Sequence, residues 1–273
     1  MASIELTLKP RKGWQAIDFQ ETWLHRELLA FLVWRDIKIR YRQTVLGGLW
    51  AILQPLVAMI IFTVFFNRMA GIGSNGAPYP LFAYAGLIPW LFFSNAVSLS
   101  SNSLLANQQM ISKIYFPRIF IPLAAILALA LDMLLSLLLM GGLMVYYRWP
   151  LPLAAAALPL FALAGILAAS GLGFIFSALN VSYRDVKYAV PFLVQMGFFV
   201  TPVIYPVRYL PERFQVFLGI NPMAGVVEGF RYCLLGTPVN WQLVTLSLLI
   251  TVALFIFGLF LFRRMERRFA DVI

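Results

Sequence analysis

Side chains that could perform chemistry are few and scattered in this sequence. Asp132 falls in the middle of a long apolar stretch, and Glu212 and Glu228 lie in a proline-rich segment further along the chain. Catalysis by general acids and bases needs positioned groups, and a zinc centre needs several clustered ligands. The chain has one histidine and one cysteine, so neither chemistry is favoured. A proton relay would want several ionisable groups in line, and we therefore expect Asp132 to be held in a structural ion pair.

The glycine-rich segment of the chain does not predict a nucleotide site. Gly71, Gly73 and Gly76 match the pattern G-x-G-x-x-G, but Pro78 and Pro80 follow them. No strand is predicted before the pattern, and no helix is predicted to start at its last glycine. The phosphate-cradling pattern G-x-x-x-x-G-K-[ST] does not occur in the sequence. We expect no cofactor in this chain. If nucleotide powers its function, ATP and Mg²⁺ bind to a separate chain.

The composition indicates that lipid is the main solvent of the protein. Hydrophobic residues make up 62% of the chain, charged residues 12%, and the mean hydropathy is +0.84, whereas about a quarter of a soluble domain is charged. Apolar intervals long enough to cross a bilayer predict helices, because backbone groups in lipid must be satisfied internally. The fold class is therefore an all-α membrane protein with six transmembrane helices. Their predicted positions are about 47–66, 81–103, 119–146, 153–178, 189–205 and 242–262.

Lysine and arginine predict the orientation of these spans. The segment before the first span, the loops after the second and fourth spans, and the C-terminal tail together carry 16 of the 21 lysines and arginines. Such residues accumulate on the cytoplasmic side of a membrane. We therefore expect a multi-pass protein of the cytoplasmic (inner) membrane with both termini in the cytoplasm. The net charge of +10 serves topology and contact with anionic membrane lipids, and it does not indicate nucleic acid.

The whole of residues 1–273 is predicted to be a single transmembrane domain. It comprises a cytoplasmic N-terminal segment (1–42), the six spans (43–262) and a basic cytoplasmic tail (263–273). The first forty residues are polar and basic, so we expect no cleavable signal peptide.

Two segments outside the spans have helical patterns of their own. Residues 21–42 predict an amphipathic interface helix along the inner leaflet, whose basic face is either a plain anchor or a specific headgroup site. Its apolar residues at helical spacing are Leu24, Leu28, Phe31 and Leu32. Residues 206–240 hold two apolar pieces, near 213–220 and 223–235, that are too short to cross a bilayer. They predict short re-entrant external helices between spans five and six or, alternatively, an ordered external cap.

Aromatic residues on the first and fifth spans are candidates for lining a passage. They are Trp50, Phe62, Phe66, Phe198, Phe199 and Tyr205. Aromatic faces suit the C–H faces of sugar rings, although aromatic side chains also fill helix interfaces.

Four blocks of sequence carry a family resemblance. They are RYRQTVLGGLWAILQPL (40–56), NSLLANQQMISKIYFPRIFIPL (102–123), RDVKYAVPFLVQMGFFVTPVIYP (184–206) and INPMAGVVEGFR (220–231). In order and spacing they resemble the first span, first cytoplasmic loop, second loop with fifth span, and external segment of ABC-2 type transporter permeases of the polysaccharide exporter branch. Because the blocks extend over nearly the whole chain, the resemblance is specific.

The resemblance implies a homodimer of six-helix subunits that works with two copies of a separate ABC ATPase. The cargo would be a lipid-linked polysaccharide, such as O-antigen on a polyprenyl pyrophosphate carrier used in lipopolysaccharide biosynthesis. The chain would then be a permease subunit without an ATPase site, and not an enzyme. The alternatives are an ABC-2 permease for teichoic acid, capsule or a small lipophilic cargo, or a membrane enzyme acting on polyprenyl-linked sugars.

The resemblance also implies roles for particular residues. A coupling helix within 106–116 would dock into the ATPase, unless the segment is an ordinary helical loop. Its candidate contacts are Gln108, Gln109, Met110, Ile111 and Lys113. Arg184 and Asp185 would form a second contact or cap the fifth span. The residues that would lie at a pyrophosphate headgroup, where arginine can pair phosphate oxygens bidentately, are Arg35, Lys38, Arg40 and Arg42.

Overall fold

Helices form nearly all of the chain described by the computed structural model, which covers residues 23–42, 49–69, 71, 73, 74, 76–113, 116–266 and 269. The α-helices are α1 (Arg26–Arg42), α2 (Leu49–Phe62), α3 (Tyr79–Ala106), α4 (Gln108–Lys113), α5 (Phe120–Ala128), α6 (Ala130–Tyr146), α7 (Leu158–Ser182), α8 (Val186–Val200), α9 (Glu212–Leu218), α10 (Pro222–Leu235) and α11 (Trp241–Glu266). Thr63–Met69 extends α2 as a π-helix, and short 3₁₀ helices cover Leu153–Ala157 and Val207–Tyr209. The described residues contain no strand, so the all-α prediction is confirmed.

Five helical stretches are long and apolar enough to cross a membrane. They are Leu49–Met69, Tyr79–Ala106, Phe120–Tyr146, Leu153–Ser182 and Trp241–Glu266, and they correspond to the predicted spans one to four and six. The predicted fifth span, 189–205, instead contains the 15-residue helix α8, which ends at Val200. Pro202 explains this end, because a residue before proline avoids the helical region, and Thr201 has a ψ of 137°.

The central element of the fold is α3, which is buried along most of its length. It packs most extensively against α7, and α2, α5, α6, α8 and α10 also contact it. On its other side α7 packs closely against α11. There a Cβ atom on Gly258 would lie 2.3 Å from the carbonyl oxygen of Gly171, so this crossing requires glycine.

The four lysine- and arginine-rich segments lie at one end of the described structure, here called the basic end. The guanidinium of Arg118 donates to the carbonyl of Glu266 at 2.7 Å, which ties the end of α11 to the loop after α4. The end of α7 is tied to the end of α3, since the side-chain amide of Asn180 donates to the carbonyl of Ser101 at 2.9 Å. The remaining loops gather at the opposite end, here called the cap end, where Trp149 donates to the carbonyl of Leu235 at 3.3 Å.

The helix α1 lies alongside α5 at the basic end. Leu32 is buried in that contact and Leu28 packs beside it, whereas Leu24 and Phe31 are exposed. Only half of the apolar face that the sequence predicts is therefore used within the chain. The other half, together with the exposed Trp34, remains on the outside of the fold.

The two short helices predicted between the last spans are α9 and α10. Asn221 caps α10 by accepting a hydrogen bond from the Met223 amide at 2.9 Å, and Gly236 ends it with a φ of 69°. This left-handed conformation favours glycine. Almost every residue of α10 is buried, because the helix lies among α3, α7 and α11.

Candidate substrate site and coupling surface

A cavity of about 230 Å³ lies between α2, α3 and α6, beside the C-terminal end of α1. Trp50 forms an aromatic part of its wall, and other apolar side chains complete it. Its polar lining consists of Arg40, Tyr41, Gln54, Asn95, Asp132 and Ser136. Arg40 and Trp50, which the sequence places in two different sites, thus line the same cavity.

Asp132 lies in the first turn of α6 and is held by two partners from α1. The Arg40 Nη2 atom is 2.8 Å from Oδ2 of Asp132, and the Tyr41 hydroxyl donates to Oδ1. Burial, followed by the hydrogen bond to Asp132, raises the pKa of Tyr41 above its ordinary value, so the phenol remains a proton donor. The expected ion pair of Asp132 is confirmed.

The four basic residues of α1 do not form one cluster. Arg35, Lys38 and Arg42 are three and four residues apart and share one helix face, whereas Arg40 points away from them into the cavity. Arg35 pairs with Asp36 at 2.8 Å, and the Lys38 ammonium lies 5.3 Å from the centroid of the Trp34 ring. Arg42 is exposed. Of these four cations, Arg40 alone belongs to the cavity.

Aromatic rings connect α2 and α8 closer to the cap end. The ring centroids of Phe62 and Phe66 are 5.8 Å apart, and Phe62 stacks on Phe198 at 5.6 Å. Trp90 of α3 approaches Phe198 at 5.8 Å, and Phe199 lies 5.5 Å from Phe198 on the exposed side. These five residues are here called the aromatic chain.

Trp50 and Tyr205 stand apart from the aromatic chain. Trp50 precedes Phe62 by about three helical turns, or roughly 18 Å along the helix axis. Tyr205 lies beyond the end of α8, where its hydroxyl is 3.4 Å from the carbonyl oxygen of Phe199. The six residues predicted to line one path therefore divide among three places.

The predicted coupling helix corresponds to α4, a separate six-residue helix at the basic end. Gln108, Gln109 and Lys113 are exposed there. Met110 is partly buried, with its sulfur 3.9 Å from Nη1 of Arg35. Ile111 is only 5% exposed and packs into the chain's own core, so its side chain is not on the surface that α4 offers to a partner.

Arg184 and Asp185 are exposed between α7 and α8. Asp185 is the N-cap residue of α8, but its side chain makes no capping hydrogen bond. Its backbone carbonyl accepts the amides of Tyr188 and Ala189 at 3.0 Å. The carboxylate and the neighbouring guanidinium are therefore directed to the surface at the basic end.

A buried ion pair in α10 was not predicted from the sequence. Arg231 donates through Nη1 to Glu228 at 2.9 Å and to the carbonyl of Pro202 at 2.6 Å, and through Nη2 to the carbonyl of Val203 at 2.6 Å. Its guanidinium lies 3.7 Å from the centroid of the Phe82 ring. This clamp joins α10 to α3 and to the chain that follows α8. Glu228, one of the two acids noted above in the proline-rich segment, is therefore held in this pair.

The opposite charges at positions 228 and 231, three residues apart in an apolar segment, were the available signal for the clamp. Gln54 of the cavity was likewise not selected, because a single amide in a span has no distinctive pattern.

Five helical stretches are long and apolar enough to cross a membrane, and polar side chains that line a cavity between such helices are typical of a transport pathway. The sequence matches the family model of the ABC-2 type transporter over residues 27–235. The chain belongs to this family of membrane transport subunits.

Its relatives include several named polysaccharide transporters. The chain is 29% identical to an O-antigen export system permease protein RfbA of Klebsiella pneumoniae over 248 residues, which cover 90% of this chain and 95% of the relative. It is 30% identical to the protein of the same name from Myxococcus xanthus over 215 residues, covering 78% and 82%. The polysialic acid transport protein KpsM of Escherichia coli is 27% identical over 250 residues, covering 85% and 91%. The resemblance to the polysaccharide exporter branch is confirmed.

Proposed function

We propose that this chain is the transmembrane permease subunit of an ATP-driven exporter that moves a lipid-linked polysaccharide of the O-antigen type across the cytoplasmic membrane. The observation that carries this proposal is the similarity to named O-antigen export permeases over 90% of the chain. The polar cavity and the aromatic chain provide surfaces that suit carbohydrate. Capsular polysaccharide is the second candidate cargo, and the similarity to a polysialic acid transport protein favours it.

The proposed topology has six crossings, with both termini in the cytoplasm and the basic end on that side. The fifth crossing consists of α8, which is about 22 Å long at 1.5 Å per residue, and the turns and bends of residues 201–206. A non-helical segment at membrane depth is tolerated only where protein shields it and satisfies its carbonyl groups. Arg231 does this for Pro202 and Val203. In this topology α9 and α10 are re-entrant from the outside, and α1 lies in the inner interface with Phe31 and Trp34 towards lipid.

The proposed assembly is a homodimer with two copies of a separate ABC ATPase, which supply the ATP and Mg²⁺ sites. Both α2 and α8 rest on α3 with one side and expose large apolar residues on the other, including Val57, Ile61, Phe192 and Met196. A two-fold axis beside these helices would create the path for the polymer between subunits. The aromatic chain would then provide sliding contacts of low specificity along the path.

Arg40 is the proposed contact for the pyrophosphate of the lipid carrier. Its side chain is 35% exposed beside Asp132, and guanidinium nitrogens not turned to the aspartate can bind phosphate oxygens. Arg42 is the second proposed contact because it is exposed nearby. Arg35 and Lys38 have partners on α1 itself, which makes anchoring to anionic lipid their better-supported role.

The proposed ATPase contact consists of the exposed residues of α4, namely Gln108, Gln109 and Lys113, with the partly buried Met110 at its edge. Arg184 and Asp185 are exposed at the same end of the fold and form the proposed second contact. Ile111 is not part of this surface. It packs into the core of the chain and thereby holds α4 in position.

Gene deletion in the source bacterium tests the proposed function. Loss of the gene should remove long-chain O-antigen from surface lipopolysaccharide on gels, while lipid-linked polymer accumulates inside the cell, and the wild-type gene on a plasmid should restore both. Loss of capsule with normal lipopolysaccharide would select the second candidate. Normal amounts of both polymers at the surface would contradict the proposed function.

A further inference from the structure

Two amide side chains face the cavity without using their hydrogen-bonding capacity. Gln54 lies on α2 one turn after Trp50, and Asn95 lies opposite on α3. Gln54 is exposed and Asn95 is partly buried, and no hydrogen bond joins either side-chain amide to another described residue. On a surface at membrane depth an amide of this kind is normally paired, with protein, water or a ligand, because an unpaired one is costly in apolar surroundings. The two amides therefore indicate a ligand with several hydroxyl or carbonyl groups.

The rest of the lining narrows the chemistry of that ligand. An indole face from Trp50, two amides and the Asp132 carboxylate offer an apolar surface, donors and acceptors around one small volume. A ring with hydroxyl groups at its edge and C–H bonds on its faces, as in a monosaccharide, matches this arrangement. The volume of about 230 Å³ is below the range of roughly 300–1,000 Å³ that is typical of sites for larger ligands. The cavity therefore accepts one sugar ring and not a polymer.

Arg40 adds a phosphate-binding group to this site. Its Nη2 atom faces Asp132, and its remaining nitrogens have no acceptor among the described residues. A guanidinium has five N–H donors in a rigid fork. It can therefore keep its pairing with Asp132 and bind a phosphate oxygen at the same time, so that the Asp132 carboxylate is never left buried without a counter-charge.

We infer that this cavity binds the single sugar unit that is directly attached to a lipid diphosphate, with Gln54 and Asn95 hydrogen-bonding the ring and Arg40 contacting the diphosphate. The inference rests on the proposed function, since it takes the cargo to be a lipid-linked saccharide. The cavity would allow the chain to distinguish a carrier that bears a sugar from an empty one. The aromatic chain offers few hydrogen bonds and has no part in this discrimination.

Binding to three defined probes tests the inference. The complex of this chain with its ATPase, in lipid nanodiscs, is titrated with farnesyl diphosphate, with farnesyl diphosphate linked to N-acetylglucosamine, glucose or galactose, and with N-acetylglucosamine 1-phosphate. The wild-type complex should prefer at least one sugar-linked lipid over farnesyl diphosphate by about tenfold, the factor expected for two hydrogen bonds. Gln54→Ala and Asn95→Ala should each reduce the preference by about threefold without changing the affinity for farnesyl diphosphate. Gln195→Ala is the matched control, because Gln195 is exposed on α8 outside the cavity, and it should keep the preference.

Each contrary result has a separate meaning. Equal affinity of the wild type for sugar-linked and sugar-free lipids, or a preference that survives in both cavity variants, would overturn the cavity assignment and leave the proposed function standing. Equally tight binding of the soluble sugar phosphate would overturn the lipid-linked ligand. If an alanine variant does not assemble, Gln54→Met or Asn95→Leu removes the amide with the bulk retained and gives the same comparison. Failure of the wild type to bind any lipid diphosphate, with export unaffected by gene deletion, would reject the proposed function together with the inference.

Discussion

Replacing Arg231 by methionine should destabilise the fold more than any exposed substitution. The change removes the donors to Glu228 and to the carbonyls of Pro202 and Val203, all at 2.6–2.9 Å. The Glu228 side chain is only 7% exposed, so its carboxylate is left in the interior without a counter-charge. Breaking a buried ion pair from one side costs about 3–5 kcal/mol. The double variant with Glu228→Leu removes the stranded charge and should recover about 2 kcal/mol, while the two carbonyls stay unpaired.

Thermal unfolding of purified protein in detergent, followed by size-exclusion chromatography, ranks these variants. The expected order of midpoints is wild type, then Glu228→Leu with Arg231→Met, then Arg231→Met alone. Arg208→Met is the control, because Arg208 is exposed at the cap end with its guanidinium 5.6 Å from the centroid of the neighbouring Tyr209 ring, and a change within about 0.5 kcal/mol is typical of exposed sites. A single Arg231 variant as stable as this control, or a double variant no better than the single one, would refute the role of the clamp.

Three further changes separate packing from function. Gly258→Ala should lower the unfolding midpoint, because the added Cβ would lie 2.3 Å from the Gly171 carbonyl oxygen; an unchanged midpoint would mean that the α7–α11 crossing relaxes freely. Ile111→Asp should reduce the yield of folded protein, whereas Lys113→Glu should leave yield normal but weaken co-purification of the ATPase; the reverse pattern would contradict the orientation of α4. Arg40→Lys should preserve assembly but lower export of the lipid-linked polymer, because lysine lacks the planar fork that can bind Asp132 and a phosphate at the same time. An unchanged amount of polymer at the cell surface would show that Arg40 serves only to anchor the helix through its charge.

The helices could be predicted from the sequence because lipid imposes a strong and local rule. Charge-free intervals located five of the spans to within a few residues, and the loop charges assigned the four basic segments to one end. The fifth span was less predictable, since its apolar composition continues through 201–205 while Pro202 ends the helix at Val200. Composition reports solubility in lipid, but backbone geometry decides where a helix ends.

The site could be predicted only in part, because its residues come together through tertiary packing. Asp132 had to find a partner, but the sequence could not reveal that Arg40 and Tyr41 from a helix some ninety positions earlier would reach it. The position of Arg40 on a different face from Arg35 and Lys38 follows from helical spacing, yet that spacing does not show which face meets α6. Gln54 and Asn95 could be recognised as candidate ligand-binding residues only from the fold, which places both of them on the wall of one cavity.

The course of α3 connects the three functional regions of the chain. Its N-terminal part supplies Phe82 to the clamp, its middle supplies Trp90 to the aromatic chain and Asn95 to the cavity, and its C-terminal end is separated from α4 by Asn107 alone. At 28 residues it is about 42 Å long, and it is buried along most of its length. If the ATPase docks on α4, α3 is therefore the element that connects this docking site to the cavity and the cap. The helices α2 and α8, which touch α3 on one side only, are then the elements that shift relative to it, and the surfaces between them are where a path for cargo would open and close.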